Sequence, residues 1–127
     1  MVPNFLVPET VVRSAGAGAE LDIGEAQGNL LLVTLGITRI VEQESLDISV
    51  SGSVNGSDWL PKPLVSFPQK FYCGVYQILL DLKPYPDVRY LKARWDVNRW
   101  GRGASDPLFG IYVFIQDASR QILAMSA

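Results

Sequence analysis

Leu46-Asp47-Ile48-Ser49-Val50-Ser51-Gly52-Ser53-Val54-Asn55-Gly56-Ser57-Asp58-Trp59 is the stretch whose reading decides the fold. Leu46, Ile48 and Val50 fall on one side of an extended chain, and Asp47, Ser49 and Ser51 on the other. That two-residue period is the signature of a strand with one buried face. Asn55-Gly56 follows, a turn pair whose residues tolerate positive φ, and Trp59 closes the segment.

The same period recurs outward from there. Leu91, Ala93, Trp95 and Val97 alternate with Lys92, Arg94, Asp96 and Asn98, giving a second one-sided strand. Leu30 to Val41 is rich in leucine and β-branched residues and reads as a central strand, with Gly36 a candidate bulge. Phe109 to Ile115 is apolar on both faces, so it should lie centrally or turn its second face to a neighbour. Shorter candidates are Thr10 to Arg13, Ala19 to Ile23, Leu64 to Phe67 and Val75 to Leu82. Composition alone permits a helix in the last, but Pro84 and Pro86 stop it early. No interval of helical length is both free of proline and glycine and periodic at 3.6 residues.

About eight short strands with turns between them predict an all-β chain, an antiparallel β-sandwich, and no crossover helices for a parallel sheet. The 127 residues fit one domain, with residues 1–8 an N-terminal arm and 117–127 a tail that is strand, helix or subunit-contacting arm. Ser14-Ala15-Gly16-Ala17-Gly18 reads as a small-residue loop between the first two strands.

Composition narrows the function. Eleven Lys+Arg against thirteen Asp+Glu argue against a nucleic-acid binder. Charged residues reach only 19%, low enough to suggest that some surface is covered by another subunit or partner. The absence of histidine removes Ser-His, Cys-His and His-metal chemistry. No catalytic group, cofactor or metal is therefore expected. The loops Asp22 to Asn29 and Asn55 to Asp58 carry oxygen ligands but lack a run of alternating acids. Cys73, the single cysteine, reads as a buried structural thiol. The amino end has no basic stretch before its proline-broken apolar run, and no run approaches the ~20 residues of a membrane span. Synthesis in the cytoplasm without a signal peptide is the expectation, with no membrane partner.

Two segments carry a family resemblance. The quoted strand–turn–Trp stretch resembles that of discoidin-like (galactose-binding-like) β-sandwiches, and Val88-Arg89-Tyr90-Leu91-Lys92-Ala93-Arg94-Trp95 is similar to a later strand of the same group. A like pairing of these segments, closed by an apolar strand such as Phe109 to Ile115, also resembles small prophage-encoded structural proteins. The resemblance implies a jelly-roll, galactose-binding-like sandwich, and either a virion component or a glycan-binding module.

The surface singled out is the loop Asn98 to Asp106, with Arg99, Trp100, Arg102 and Asp106 as candidate binding residues for a protein partner or a glycan. Trp and Arg are common interface anchors, although a hairpin loop folding its Trp back over the sheet edge would look the same. Trp59 and Trp95 read as core residues rather than ligand platforms. The first functional expectation is a non-enzymatic structural protein that forms homo-oligomers or attaches to a larger particle, such as a phage capsid or tail. The alternative is a carbohydrate-binding module that uses loops at one end of the sandwich.

Overall fold

The computed structural model describes residues 2–40, 44–70, 72–99 and 108–118. These form nine strands: β1 (Asn4–Val12), β2 (Gly16–Ala17), β3 (Leu21–Asp22), β4 (Leu30–Ile40), β5 (Glu44–Ser53), β6 (Val65–Ser66), β7 (Gly74–Asp81), β8 (Tyr90–Arg99) and β9 (Phe109–Asp117). One sheet has the order β1-β9-β4-β7 and the other β2-β8-β5-β6, with β3 also on β8. Every pairing is antiparallel. Because β2 and β3 both pair with β8 in sequence, they act as one interrupted strand. The order then becomes that of a jelly roll, two Greek keys wrapped into a sandwich. The expected architecture is the one found.

Alternation explains the layers. Leu31, Val33, Leu35 and Ile37 of β4 and Phe109, Ile111, Val113 and Ile115 of β9 point inward and are buried. From the other sheet they meet Leu46, Ile48 and Val50 of β5 and Leu91 and Ala93 of β8. Each buried Val, Leu, Ile or Phe side chain here contributes about 1.5–3 kcal/mol. Ile23 and Ala26, on the short 3-10 turn Gly24–Ala26, plug one end of this core.

Three local expectations change. Residues 4–8, expected within an arm, belong to β1, where Leu6 and Val7 are buried against the core. Pro3 and Pro8 do not break this strand because β1 is an edge, and β1·β9 shifts register between Phe5 and Val7 and between Val7 and Thr10. The small-residue segment 14–18 contains β2, and Gly16 sits where a side chain would press on the Trp95 ring. Gly36 is not a bulge; it pairs regularly with Val75 and Tyr112. The irregularity in β4·β9 falls between Ile37 and Arg39. A Cβ at Gly110 would stand 2.7 Å from Thr38 Oγ1 and 3.2 Å from Arg39 Cβ, so Thr38 and Arg39 share the outer face there. Gly36 has another purpose: the Tyr112 ring lies across it, in the space a Cβ would fill. The tail beyond Ala118 lies outside the described residues.

Gly36→Ala should therefore cost about 1–3 kcal/mol in urea unfolding. In a Tyr112→Ala background the same change should cost less than about 0.5 kcal/mol, since the ring it displaces is gone. Equal costs in the two backgrounds would show that the ring is not what demands glycine.

Candidate functional site

The sandwich offers two outer surfaces of opposite character. Outward positions of β5 are Ser45, Asp47, Ser49, Ser51 and Ser53. In register on β8 are Asp96 opposite Asp47, Arg94 opposite Ser49, Lys92 opposite Ser51 and Tyr90 opposite Ser53. Ser66 of β6 pairs beside Ser49. Asp47, Ser49, Ser66, Arg94 and Asp96, with Ile48, Phe67 and Trp95, line a cavity of about 280 Å³. Gln69 Nε2 donates to Ser45 Oγ (3.1 Å) and Asp47 Oδ2 (3.2 Å), walling one side. Trp59, half-buried, pairs back on Ser53 and lies beneath Lys92, whose Nζ stands 4.1 Å from the ring centroid. It is thus on the outer surface rather than in the core, because the Asn55-Gly56 turn folds it over the polar side of β5. Trp95 does pack against the core. The groove can offer hydroxyl, carboxylate and guanidinium groups to a polar ligand.

The other sheet carries mostly rings and aliphatic chains outside, with Thr34, Gln77 and Gln116 among them. Phe5, Phe114, Thr34 and Gln77 form one row across β1, β9, β4 and β7. Tyr112, Gly36 and Val75 form the next, and Gln116, Leu32 and Leu79 the one beyond. Phe5 meets Phe114 edge-on at 5.0 Å between centroids and Tyr112 at 6.1 Å. Val75 is 63%, Leu79 56% and Phe5 47% exposed. Sequence alternation showed that Phe109 to Ile115 has an apolar second face. Phe5 was missed because its segment was read as an arm.

Of the residues singled out from sequence, Arg99 ends β8, opposite Glu44. Trp100, Arg102 and Asp106 lie outside the described residues. β8 ends and β9 begins at the end of the sandwich where β4 stops and β5 starts, since Ile40 pairs with Phe109 and Glu44 with Arg99. Cys73, expected to be buried, is exposed; it precedes β7, an edge strand, and so has no sheet on its far side.

In the two loops weighed for oxygen ligands, Asn55 and Asp58 bond within their own loop, while Asp22 is engaged by Arg89 and Gly24. Asn55 Oδ1 accepts from the N–H groups of Ser57 (2.9 Å) and Asp58 (2.8 Å), and Asn55 Nδ2 donates to Asp58 Oδ2 (2.9 Å). Gly56, at φ +81°, donates its N–H to Ser53 Oγ (2.9 Å). Asp22 accepts Arg89 Nε on Oδ1 (3.1 Å) and Nη2 on Oδ2 (3.0 Å), and the Gly24 N–H also donates to Oδ1 (2.9 Å). The Arg89 hydrogen bonds, then the Gly24 amide, hold the Asp22 carboxyl below its ordinary value. Among the described residues no three Asp, Glu or Cys side chains converge as a metal site, and no helix is long and apolar enough to cross a membrane.

No protein-family model and no curated protein matches the chain. Among solved structures it is similar to the K3 cleaved adhesin domain of Lys-gingipain from Porphyromonas gingivalis W83. The TM-score is 0.50 at 15% identity, covering 87% of this chain. The chain spans 66% of the length of that structure. At this identity the likeness speaks for the shared fold alone.

The Asp22–Arg89 pair gives a pH prediction. A carboxyl lowered in the folded state stabilises fully above its unfolded value, near pH 4, and loses that contribution as pH falls through the lowered value. Arg89→Ala should raise the Asp22 titration midpoint seen by NMR. The stability gap between the two proteins should exist at neutral pH and close in acid. A midpoint that does not move would show the pair to be idle in solution.

Proposed function

We propose that this chain is a non-enzymatic attachment module that docks on another protein surface through the outer face of the β1-β9-β4-β7 sheet. The observation that carries the reading is that face itself. It clusters the exposed side chains of Phe5, Val75 and Leu79 beside the Phe114 and Tyr112 rings, and an exposed apolar cluster rimmed by polar residues marks an interaction site. The low charged fraction agrees with it. A solved domain named as an adhesin has the same kind of fold, which is compatible with a scaffold used for attachment. No nucleophile–base pair is available to a chain without histidine unless Lys or carboxylates supply it. The finer reading, a capsid-decoration or tail component of a virion, draws support from the resemblance of the Leu46–Trp59 and Val88–Trp95 segments to prophage structural proteins.

A second reading, glycan binding, is favoured by one observation, the polar groove of β5 and β8. Its mixed hydroxyl, carboxylate and guanidinium lining suits a polyhydroxylated ligand. That reading moves the contact away from the Arg99–Asp106 loop. It predicts that Arg94→Ala abolishes retention on a glycan array while leaving the melting temperature unchanged.

The two are separated by photo-crosslinking in cells that express the protein. A photoreactive residue at position 79, on the apolar face, should yield a covalent protein adduct. One at position 92, beside the groove, should not. No adduct at 79 would sink the attachment reading.

A further inference from the structure

We infer that the occupant of the apolar face is a second copy of this chain, laid face to face about a two-fold axis perpendicular to the strands. The inference rests on the attachment reading above and names its partner.

Area is the first argument. Four strands at ~4.8 Å and strand lengths of ~26–36 Å give a footprint of roughly 500–700 Å². Stable dimers begin at about 600 Å² per partner, which falls inside that range, so most of the face must be covered at once. Charge is the second. Over β9, β4 and β7 the rows through Phe114, Tyr112 and Gln116 hold no formal charge, and the charge on their β1 flank is Glu9, beside Tyr112. An identical surface therefore meets no like charge over β9, β4 and β7, and Glu9 is left at the edge strand.

The margins then fix the orientation. Arg39, brought onto the outer face by the bulge, stands at one end of β4. Asp81 stands at the opposite end of the sheet, beside Leu30 on the adjacent strand β7. The two are separated by roughly nine strand steps, about 30 Å, so they do not pair within one copy. A two-fold axis along the strands would stack each Arg39 end on its own counterpart. An axis across the strands reverses the ends and keeps β4 over β4. Arg39 of each copy then comes within one strand spacing of the other copy's Asp81. The midpoint between these ends is the stretch around Thr34, beside the Phe5–Phe114 contact, so the aromatic cluster lies next to the axis. Isologous contact of this kind doubles every favourable pair.

The test is sedimentation equilibrium with reductant present, so that exposed Cys73 does not cross-link copies. The expected species has twice the 14.0 kDa chain mass. Leu79→Lys, a substitution at an exposed edge position, should return it to monomer with an unchanged circular dichroism spectrum. Arg39→Asp and Asp81→Arg should each weaken the dimer about tenfold, and the double variant should recover most of that loss. A wild type that stays monomeric at about 200 µM would overturn the inference. So would a dimer indifferent to Leu79→Lys, or a double variant no better than the singles. A photo-adduct at position 79 whose mass is not that of two chains would also overturn it, yet leave attachment to a different protein standing.

Discussion

Antiparallel strands place successive side chains on opposite sides, so each sheet of this protein has one face it must hide and one it is free to specialise. The inner rows of β4 and β9 against those of β5 and β8 hide the first kind. Everything else follows from that packing. It fixes the register, because a slip of one residue in β5 would drive Leu46, Ile48 and Val50 into water and bury Asp47. It also fixes which residues are left outside. The β5–β8 sheet keeps serines and charges there, while the β1-β9-β4-β7 sheet keeps rings and aliphatic chains.

The architecture was legible because most strands announce themselves by that period. β5 and β8 alternate strictly, and Phe109 to Ile115 is uninterrupted. Their interiors match the expected ones closely. What the alternation could not reveal was pairing. Gly36 looks like a defect in β4 until Tyr112, seventy-six positions away in sequence, is known to be its cross-strand neighbour. The bulge at Thr38 and Arg39 has no marker residue at all. β1 was half-read, since Pro3 and Pro8 are the usual sign of a segment outside a sheet and are tolerated here only at an edge.

The candidate sites show the same division. Sequence pointed to Arg99, Trp100, Arg102 and Asp106 because aromatic and basic residues beside glycines look like a binding loop. The groove was written equally plainly in the polar halves of β5 and β8, but only register brings Asp96 to Asp47 and Arg94 to Ser49. The apolar face was visible in β9 alone. Phe5 and Leu79 joined it through neighbours far away along the chain. Trp59 was misplaced for a local reason: its turn returns the chain to the outside of β5 rather than to the interior.

The pairing of β1 with β9 carries a consequence for how the molecule is made. On the ribosome β1 emerges early, and its partner is among the last segments described. Until β9 is made, Leu6, Val7 and Phe5 have no sheet to join, and β4 likewise waits for β9 along one flank. Such distant pairings are slow to close, and an unpaired edge invites association with other nascent chains. Completion of the fold therefore hinges on a single late strand sliding between two early ones, which makes β9 the keystone of assembly as well as of the finished sheet.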